Sequence, residues 1–107
     1  MKGIYVIMYY LYALYYKNKI FYIGIATNAN RGFIQHKYIC FCENQKNHKH
    51  HVYRYIRNLN ITKDNFYENI KMKVIRSYEN KEKAEKVENA IIKRKWKEWN
   101  LQNSHFK

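Results

Sequence analysis

The sequence contains little of several residue types that mark common classes of protein. Proline is absent, and the two cysteines, Cys40 and Cys42, lie too close together in sequence to staple a fold. Such sparse use of cysteine is typical of a reducing, cytoplasmic setting. The longest apolar run, residues 4–16, has 13 residues, fewer than the roughly 20 that a membrane-spanning helix needs. We therefore expect a cytoplasmic protein without a membrane span.

Acidic residues are also scarce, and they are unevenly placed. Asp64 is the single aspartate, and five of the seven glutamates lie within residues 79–98. Nucleases that use two metal ions hold both ions with several converging carboxylates. The sequence offers no such cluster, so a chain of this composition that cleaves nucleic acid must do so with few carboxylates.

Positive charge, in contrast, is abundant. The chain has 21 lysines and arginines against 8 acidic residues, a formal charge of +13, and it is 47% hydrophobic and 18% aromatic. That apolar content is too high for a disordered basic tail. The length of 107 residues suits one domain over residues 1–107. We expect a small folded domain that binds polyanions, nucleic acid first and an anionic membrane surface second.

The first half of the chain predicts a hairpin followed by a helix. Residues 4–16 are aromatic and β-branched without a breaker, and residues 20–25 form a second such segment after the polar turn at residues 17–19. Asn18 in this turn suits a left-handed conformation. From Arg31 the apolar residues recur at helical spacing for about ten residues, with Asn28 or Asn30 as the N-cap.

The second half predicts two further helices and one strand. After a polar loop at residues 42–51, apolar residues at positions 52, 56 and 59 indicate a second helix. Residues 70–75 alternate apolar and basic side chains, as a half-buried strand does. Asn80 then caps a last helix that runs to about Trp99. The order ββααβα predicts an α+β domain, with a small antiparallel sheet of three strands (the hairpin and one further strand) flanked by helices.

Two segments of the hairpin carry a family resemblance. The segment Phe21–Ile25 (FYIGI), followed by Arg31 and His36, resembles the second motif and the first helix of the GIY-YIG nuclease family. A literal Gly-Ile-Tyr ends at Tyr5, but its distance from Tyr22 is long for this hairpin. Tyr12 lies in a variant first motif and is separated from Tyr22 by nine residues, which is the better spacing. We expect Tyr12 to lie roughly opposite Tyr22 in the hairpin. Tyr5 stays the alternative.

The resemblance continues to the end of the chain. Glu88, within the segment Val87–Ile92, is similar to the metal-binding glutamate of the family, and Asn103 to its terminal asparagine, with Asn100 as a competitor. His36 lies five residues after Arg31, whereas relatives place the histidine four residues after the arginine. Either the helix begins with an irregular turn at Gly32, or His36 does not have the role that the family gives it.

The resemblance implies a stand-alone, metal-dependent endonuclease that hydrolyses DNA and leaves a 5′-phosphate and a 3′-hydroxyl. Tyr12 would be the general base for water, Tyr22 its hydrogen-bonding neighbour, and His36 a further catalytic residue. Arg31 would bind the scissile phosphate, Asn103 would orient the phosphate or the edge of the site, and Glu88 would hold one Mg²⁺ or Mn²⁺. Because a tyrosine is a poor base at its ordinary pKa of about 10, we expect the basic surroundings and the metal to lower it.

Basic residues outside these motifs predict where nucleic acid binds. Five of them are the candidates for contacts with DNA phosphates: Lys37, Lys46, Lys49, Arg54 and Arg57. Tyr53 and Tyr55 lie beside two of these residues in sequence and are expected to stack on bases. The histidines and cysteines between positions 36 and 51 suggest zinc, but the spacing Cys-x-Cys is tighter than in structural zinc sites, so free thiols and a basic loop are the preferred interpretation.

Alternatives to an active DNA nuclease remain open from the sequence. The same fold could bind nucleic acid without cutting it, the substrate could be RNA, and a basic protein could bind an anionic membrane surface. The family resemblance implies a bacterial, phage or viral context, and we expect the chain to lack the appended specificity domain that relatives often carry. We therefore expect low sequence specificity, unless a homodimer or a larger partner supplies more.

Overall fold

The computed structural model describes residues 6–103, which form three strands and four helices. The strands are β1 (Tyr9–Tyr16), β2 (Lys19–Ala26) and β3 (Ile70–Tyr78), and the helices are α1 (Ala29–Phe41), α2 (His51–Asn58), α3 (Phe66–Asn69) and α4 (Lys81–Lys95). The predicted α+β class and the order ββααβα are confirmed, with the one-turn helix α3 as an addition before β3. No helix within the described range is long and apolar enough to cross a membrane.

The sheet is antiparallel throughout, in the order β2-β1-β3, so β1 is its central strand. β1 begins at Tyr9, later than predicted. Tyr9 is the first residue of β1 that pairs with β3, and Tyr10 is the first that pairs with β2. Residues 6–8 extend beyond both neighbouring strands, and the predicted strand residues 4 and 5, together with the alternative residue Tyr5, lie outside the described residues.

The hairpin register differs from the expected one by two residues. Lys17 and Asn18 both have positive φ, 50° and 65°, which matches the two-residue turns that suit the twist of a hairpin. Past a bulge next to Leu14, Tyr12 pairs with Gly24, whereas Leu14 pairs with Tyr22. The expectation that Tyr12 lies opposite Tyr22 is wrong. The two-residue turn pairs Tyr16 with Lys19, a register that would place Tyr12 opposite Ile23, and the bulge moves its partner one residue further, to Gly24. Tyr12 and Tyr22 therefore meet diagonally, on the same face of the sheet.

Helix caps explain where the two long helices begin and end. Arg31 N–H donates to the side chain of Asn28, and Lys83 N–H donates to the side chain of Asn80, each at 3.0 Å. After α4, Leu101 N–H donates to the Trp96 carbonyl, and Asn100 has a φ of 52°. This is a Schellman motif, in which the residue after the helix is left-handed. α4 itself ends at Lys95, about four residues before the predicted end, and hydrogen-bonded turns continue to Trp99.

Apolar side chains form one core on each face of the sheet. The first lies between the sheet and helices α1, α2 and α3, and its fully buried members include Leu14, Ile56 and Phe66. The second lies between the sheet and α4 and includes Leu11 and Ile23. Tyr12 belongs to the first core, and its side chain is 4% exposed.

Candidate active site

Tyr12 lies in the central strand, directly opposite a glycine of its neighbour. A Cβ atom built on Gly24 would be 2.6 Å from the hydroxyl oxygen of Tyr12 and 2.9 Å from a ring carbon of Tyr22. Side chains do not approach that closely, so only glycine leaves space for the Tyr12 hydroxyl above this strand. The glycine of the predicted motif is therefore required by the position of Tyr12.

A buried histidine of α1 connects Tyr12 to a second tyrosine. His36 Nε2 lies 2.6 Å from the hydroxyl oxygen of Tyr12, and His36 Nδ1 lies 2.8 Å from that of Tyr53 on α2. The ring of Tyr22 packs edge-on against His36, at 5.1 Å between centroids, and is 6.3 Å from the ring of Tyr12. We call Tyr12, His36 and Tyr53 the Tyr–His–Tyr chain. Tyr53 was not predicted in this role, and its place in the buried stripe of α2 was the only signal available.

A neutral His36 allows two arrangements of protons along this chain. In one, Tyr12 O–H donates to Nε2 and Nδ1–H donates to the oxygen of Tyr53; in the other, both hydrogen bonds run in the opposite direction. Only the first arrangement leaves Nε2 able to accept the proton of Tyr12. Tyr53 then fixes the tautomer, because its oxygen accepts from Nδ1–H.

Burial determines the protonation of these groups at neutral pH. It lowers the pKa of His36 to about 4, so the imidazole is neutral at pH 7. Burial, together with the neighbouring Tyr22, raises the pKa of Tyr12 well above its usual value. The expectation that basic surroundings lower this pKa is wrong for the protein alone, because no lysine or arginine is among the buried residues of the described part. His36 Nε2, 2.6 Å from the Tyr12 hydroxyl oxygen, is a group that can accept its proton.

α1 is a regular helix, so the five-residue spacing of Arg31 and His36 is not compensated by an irregular turn. Gly32 N–H donates to the Asn28 carbonyl at 3.0 Å, an ordinary helical hydrogen bond, so the irregular turn considered at Gly32 does not occur. Five residues correspond to about 140° of rotation around a helix. His36 faces the core and reaches Tyr12, whereas Arg31 is exposed, and its guanidinium makes no hydrogen bond or ion pair within residues 6–103. The structure brings His36 and the tyrosines together but leaves Arg31 at the surface.

Glu88 lies in line with the buried residues of α4. Ala84 and Ile92, four residues before and after it, are 0% and 2% exposed, so Glu88 projects from the same face. Burial, with a contribution from Glu85, raises the pKa of Glu88 to about 7. After burial, the charge of Glu88 is the second cause that raises the pKa of Tyr22, which reaches about 12. Ala84 and Ile92 belong to the core between the sheet and α4, whereas Tyr12 belongs to the core on the other face of the sheet, so Glu88 influences the tyrosines through its charge.

Glu88 could supply one carboxylate ligand to a divalent cation. The one ion pair present in the described part of the chain joins Lys95 to Glu98, so the half-buried carboxylate of Glu88 has no cationic partner there. One carboxylate oxygen can hold Mg²⁺ when water and a substrate phosphate complete the octahedron. A zinc-type cluster does not form, because residues 6–103 contain no converging group of three or more histidine, cysteine or acidic side chains.

Asn103 is buried at the outer edge of β2 and pairs with its backbone. Its side-chain amide donates to the Ile23 carbonyl at 2.6 Å, and its Oδ1 accepts from Ile23 N–H at 3.2 Å. Gln102 N–H donates to the Phe21 carbonyl at 2.7 Å, so the two residues continue the sheet like a short additional strand. Of the two roles predicted for Asn103, orientation of the site edge matches this geometry, since Ile23 lies between Tyr22 and Gly24.

The basic residues predicted to bind nucleic acid divide into two groups. Lys46, Lys49 and Arg54 are exposed or partly exposed, as phosphate contacts require. Lys37 is half-buried and lies over the ring of Tyr67, 4.5 Å from its centroid. These four residues remain candidates for contacts with DNA.

Arg57 is engaged inside the protein. Its guanidinium donates to the Cys40 carbonyl at 2.7 Å and to the His48 carbonyl at 3.0 Å, which fixes the loop between α1 and α2. The prediction that Arg57 contacts phosphate has no support in this geometry, because two of its donors are directed at backbone carbonyls.

The two tyrosines that were expected to stack on bases also make contacts inside the protein. Tyr53 is 5% exposed and belongs to the Tyr–His–Tyr chain. Tyr55 packs against Phe21, with 5.2 Å between ring centroids. The stacking prediction is wrong for Tyr53, because α2 turns this residue towards the sheet.

Comparison of the chain with models of known protein families, with curated proteins and with solved structures finds no match. A function for this chain is therefore inferred from the geometry and chemistry of its own residues.

Proposed function

We propose that the protein is a metal-dependent endonuclease, similar to the GIY-YIG nucleases, that hydrolyses phosphodiester bonds in DNA. One observation carries this proposal: the hydroxyl of Tyr12 is 2.6 Å from Nε2 of a neutral, buried His36. The half-buried carboxylate of Glu88 contributes to the raised pKa of Tyr12 only after burial, Tyr22 and Tyr53. A hydroxyl, a proton acceptor and a carboxylate in this arrangement are the groups that activation of a water molecule needs.

The proton transfers follow from the protonation states of the site. Tyr12 accepts a proton from the attacking water while its own hydroxyl proton moves to His36 Nε2. This relay replaces a buried tyrosinate with an imidazolium at His36, which burial also disfavours, so the negative charge of the substrate phosphate would have to offset that cost. The hydroxide forms a bond to phosphorus, the bond between phosphorus and the 3′ oxygen breaks, and the 3′ oxygen takes a proton from solvent. After cleavage the proton returns from His36 through Tyr12 to solvent. The products carry a 5′-phosphate and a 3′-hydroxyl.

The remaining residues act around this step. Glu88 would hold Mg²⁺ or Mn²⁺, which supplies positive charge next to the scissile phosphate. Arg31, exposed at the start of α1, has a side chain that is free to bind a phosphate oxygen through two donors. Asn103 acts through β2: it fixes the backbone between Tyr22 and Gly24.

The charge of the chain supports a nucleic-acid substrate. A formal charge of +13 attracts DNA without regard to sequence and makes binding strongly dependent on salt. A site that uses one carboxylate cuts one strand, so cleavage of both strands would need two subunits or two encounters. RNA should be tested beside DNA, because the proposed reaction does not involve a distant 2′-hydroxyl group.

A second candidate function is a nucleic-acid-binding module of the same fold that does not cut. The position of Arg31 favours it, because the regular helix α1 separates Arg31 from His36 by about 140° of rotation. Such a module would bind DNA through the exposed lysines and leave it intact.

A plasmid assay with Glu88→Gln separates the two functions. Supercoiled DNA is incubated at low salt with Mg²⁺, Mn²⁺ or EDTA, and Glu82→Gln, an exposed position on α4, is the matched control. We expect nicking that needs metal, falls at least about 100-fold in Glu88→Gln and is unchanged in Glu82→Gln, with DNA retention on gels equal in all three proteins.

Two outcomes would contradict the endonuclease. Retarded but intact plasmid in every lane would favour the binding module. Metal-dependent nicking that survives in Glu88→Gln would remove the metal role of Glu88.

A further inference from the structure

An apolar groove with basic edges lies on the outward face of α1. It encloses a cavity of about 390 Å³, and its lining includes Ile34, Lys37, Tyr38, Phe41, Lys63 and Tyr67. Ile34 is 60% exposed, Tyr38 56% and Tyr67 41%. Large apolar side chains that are exposed together, rather than singly, mark a binding surface.

The groove combines aromatic rings with positive charge. Tyr67 is held in place by edge-on contacts with Phe33 and Phe66, both at 5.3 Å between centroids. Lys37 lies over the ring of Tyr67, and Lys63 also lines the groove. No acidic side chain of the described residues lines it. Aromatic faces next to lysines are the surroundings that a nucleobase and its phosphate require.

The groove lies on the same side of α1 as Arg31, the residue proposed to bind the scissile phosphate. Tyr38 follows Arg31 by seven residues, which places both on the same face of α1, about 10 Å apart along the helix axis. This distance corresponds to about three nucleotides along a duplex strand, and to fewer along an extended single strand. A strand whose scissile phosphate is bound by Arg31 would therefore pass the groove.

We propose that this groove binds an unpaired nucleobase near the cleavage site, with the base against Tyr38 and its backbone phosphates near Lys37 and Lys63. The inference rests on the proposed function and narrows its substrate class to DNA with unpaired or extruded nucleotides. Charge decides the occupant, since an excess of 13 positive charges and lysines at the groove favour a polyanion over a neutral apolar segment of another protein.

The test measures binding in EDTA, so that it does not depend on cleavage. Two DNA duplexes are compared, one fully paired and one with a single bulged 2-aminopurine, whose fluorescence falls when it stacks on an aromatic ring. The variants are Tyr38→Ala, Tyr38→Phe and, as a matched control, Tyr16→Ala, which removes a tyrosine with a lysine over its ring next to the hairpin turn. Circular dichroism confirms that each variant is folded.

We expect the wild-type protein to bind the bulged duplex about tenfold more tightly than the paired one, as stacking of one base predicts, with quenched fluorescence. Tyr38→Ala should lose the preference and the quenching, whereas Tyr38→Phe and Tyr16→Ala should keep both.

Equal affinity of the wild-type protein for the two duplexes would overturn the proposal and would favour a protein as the occupant of the groove. A preference for the bulged duplex that persists in Tyr38→Ala would also overturn it. If metal-dependent nicking is present but the preference is absent, the groove inference alone fails. If nicking is absent but the preference depends on Tyr38, the groove inference stands and the nuclease proposal fails.

Discussion

At the scale of single residues, the site shows which contacts a sequence pattern can and cannot predict. The motif predicted that Tyr12 and Tyr22 lie on neighbouring strands, but not that Tyr12 pairs with Gly24. The structure explains the glycine, because a Cβ atom at that position would be 2.6 Å from the Tyr12 hydroxyl. Tyr53 could not be predicted in the same way. It lies on another element, and a tyrosine in the buried stripe of a helix is usually a core residue.

Replacing Tyr53 with phenylalanine tests whether this hydroxyl positions His36. The variant keeps the ring but removes the partner of His36 Nδ1, which lies 2.8 Å away. We expect the nicking rate to fall about tenfold, in the range found for residues that orient a catalytic side chain, and DNA affinity to be unchanged. Nitrogen NMR of the histidine ring should show a mixture of tautomers in place of one.

Tyr55→Phe is the matched control, because it removes a tyrosine hydroxyl two residues away on α2 that lies outside the Tyr–His–Tyr chain. Full activity and a single tautomer in Tyr53→Phe would show that His36 does not depend on Tyr53.

At the scale of elements, local signals predicted most of the fold. Of Asn28 and Asn30, the two N-caps expected for the first helix, Asn28 makes the hydrogen bond, and Asn80 caps α4 as expected. The alternation in residues 70–75 predicted β3. The bulge next to Leu14 was not predictable, since it offsets by one residue a turn that is one residue shorter than expected. α3 was missed since a helix of one turn has almost no periodicity, and it is stabilised by the packing of Phe66 against Phe33 and Phe41.

Asn103 provides a test of how the end of the described chain supports β2. Asn103→Ala removes two hydrogen bonds and leaves Ile23 N–H and C=O without partners in a buried position. We expect the free energy of unfolding to fall by about 2–3 kcal/mol, measured by denaturant titration. Activity per folded molecule should fall as well, because Ile23 lies between Tyr22 and Gly24.

Asn100→Gly is the control, since glycine tolerates the φ of 52° at that position, and its stability should stay close to that of the wild type. Lost activity with unchanged stability in Asn103→Ala would instead favour the other predicted role, direct orientation of the phosphate.

At the scale of the whole molecule, two buried titratable groups have opposite effects on stability over the same range of pH. The pKa of His36 is lowered from 6.5 to about 4, so the unfolded chain binds more protons between these values and stability rises with pH. The pKa of Glu88 is raised from 4.5 to about 7, so the folded chain binds more protons there and stability falls as pH rises. The two slopes oppose each other between about pH 4.5 and 6.5.

Single variants should separate these opposing slopes. From about pH 4 to 6.5, we expect the free energy of unfolding of Glu88→Gln to rise by about 2–3 kcal/mol, because the contribution of the buried His36 is then no longer offset by that of Glu88. From about pH 4.5 to 7, His36→Gln should lose about 1–2 kcal/mol, a smaller change since Glu88 is only half-buried and solvent screens it. The wild-type curve should be flatter than either, as urea titrations at a series of pH values would show.

A bound cation links this balance to the proposed function. Mg²⁺ at Glu88 favours the ionised carboxylate, so saturating Mg²⁺ should stabilise the wild-type protein above about pH 7 and have no such effect on Glu88→Gln. Nicking should likewise increase as the pH rises through about 7, where Glu88 loses its proton. The free energy of unfolding could depend on pH in the same way in Glu88→Gln and in the wild type. That result would mean that solvent screens the Glu88 carboxylate. A screened carboxylate would not be the uncompensated charge that makes cation binding favourable at this site.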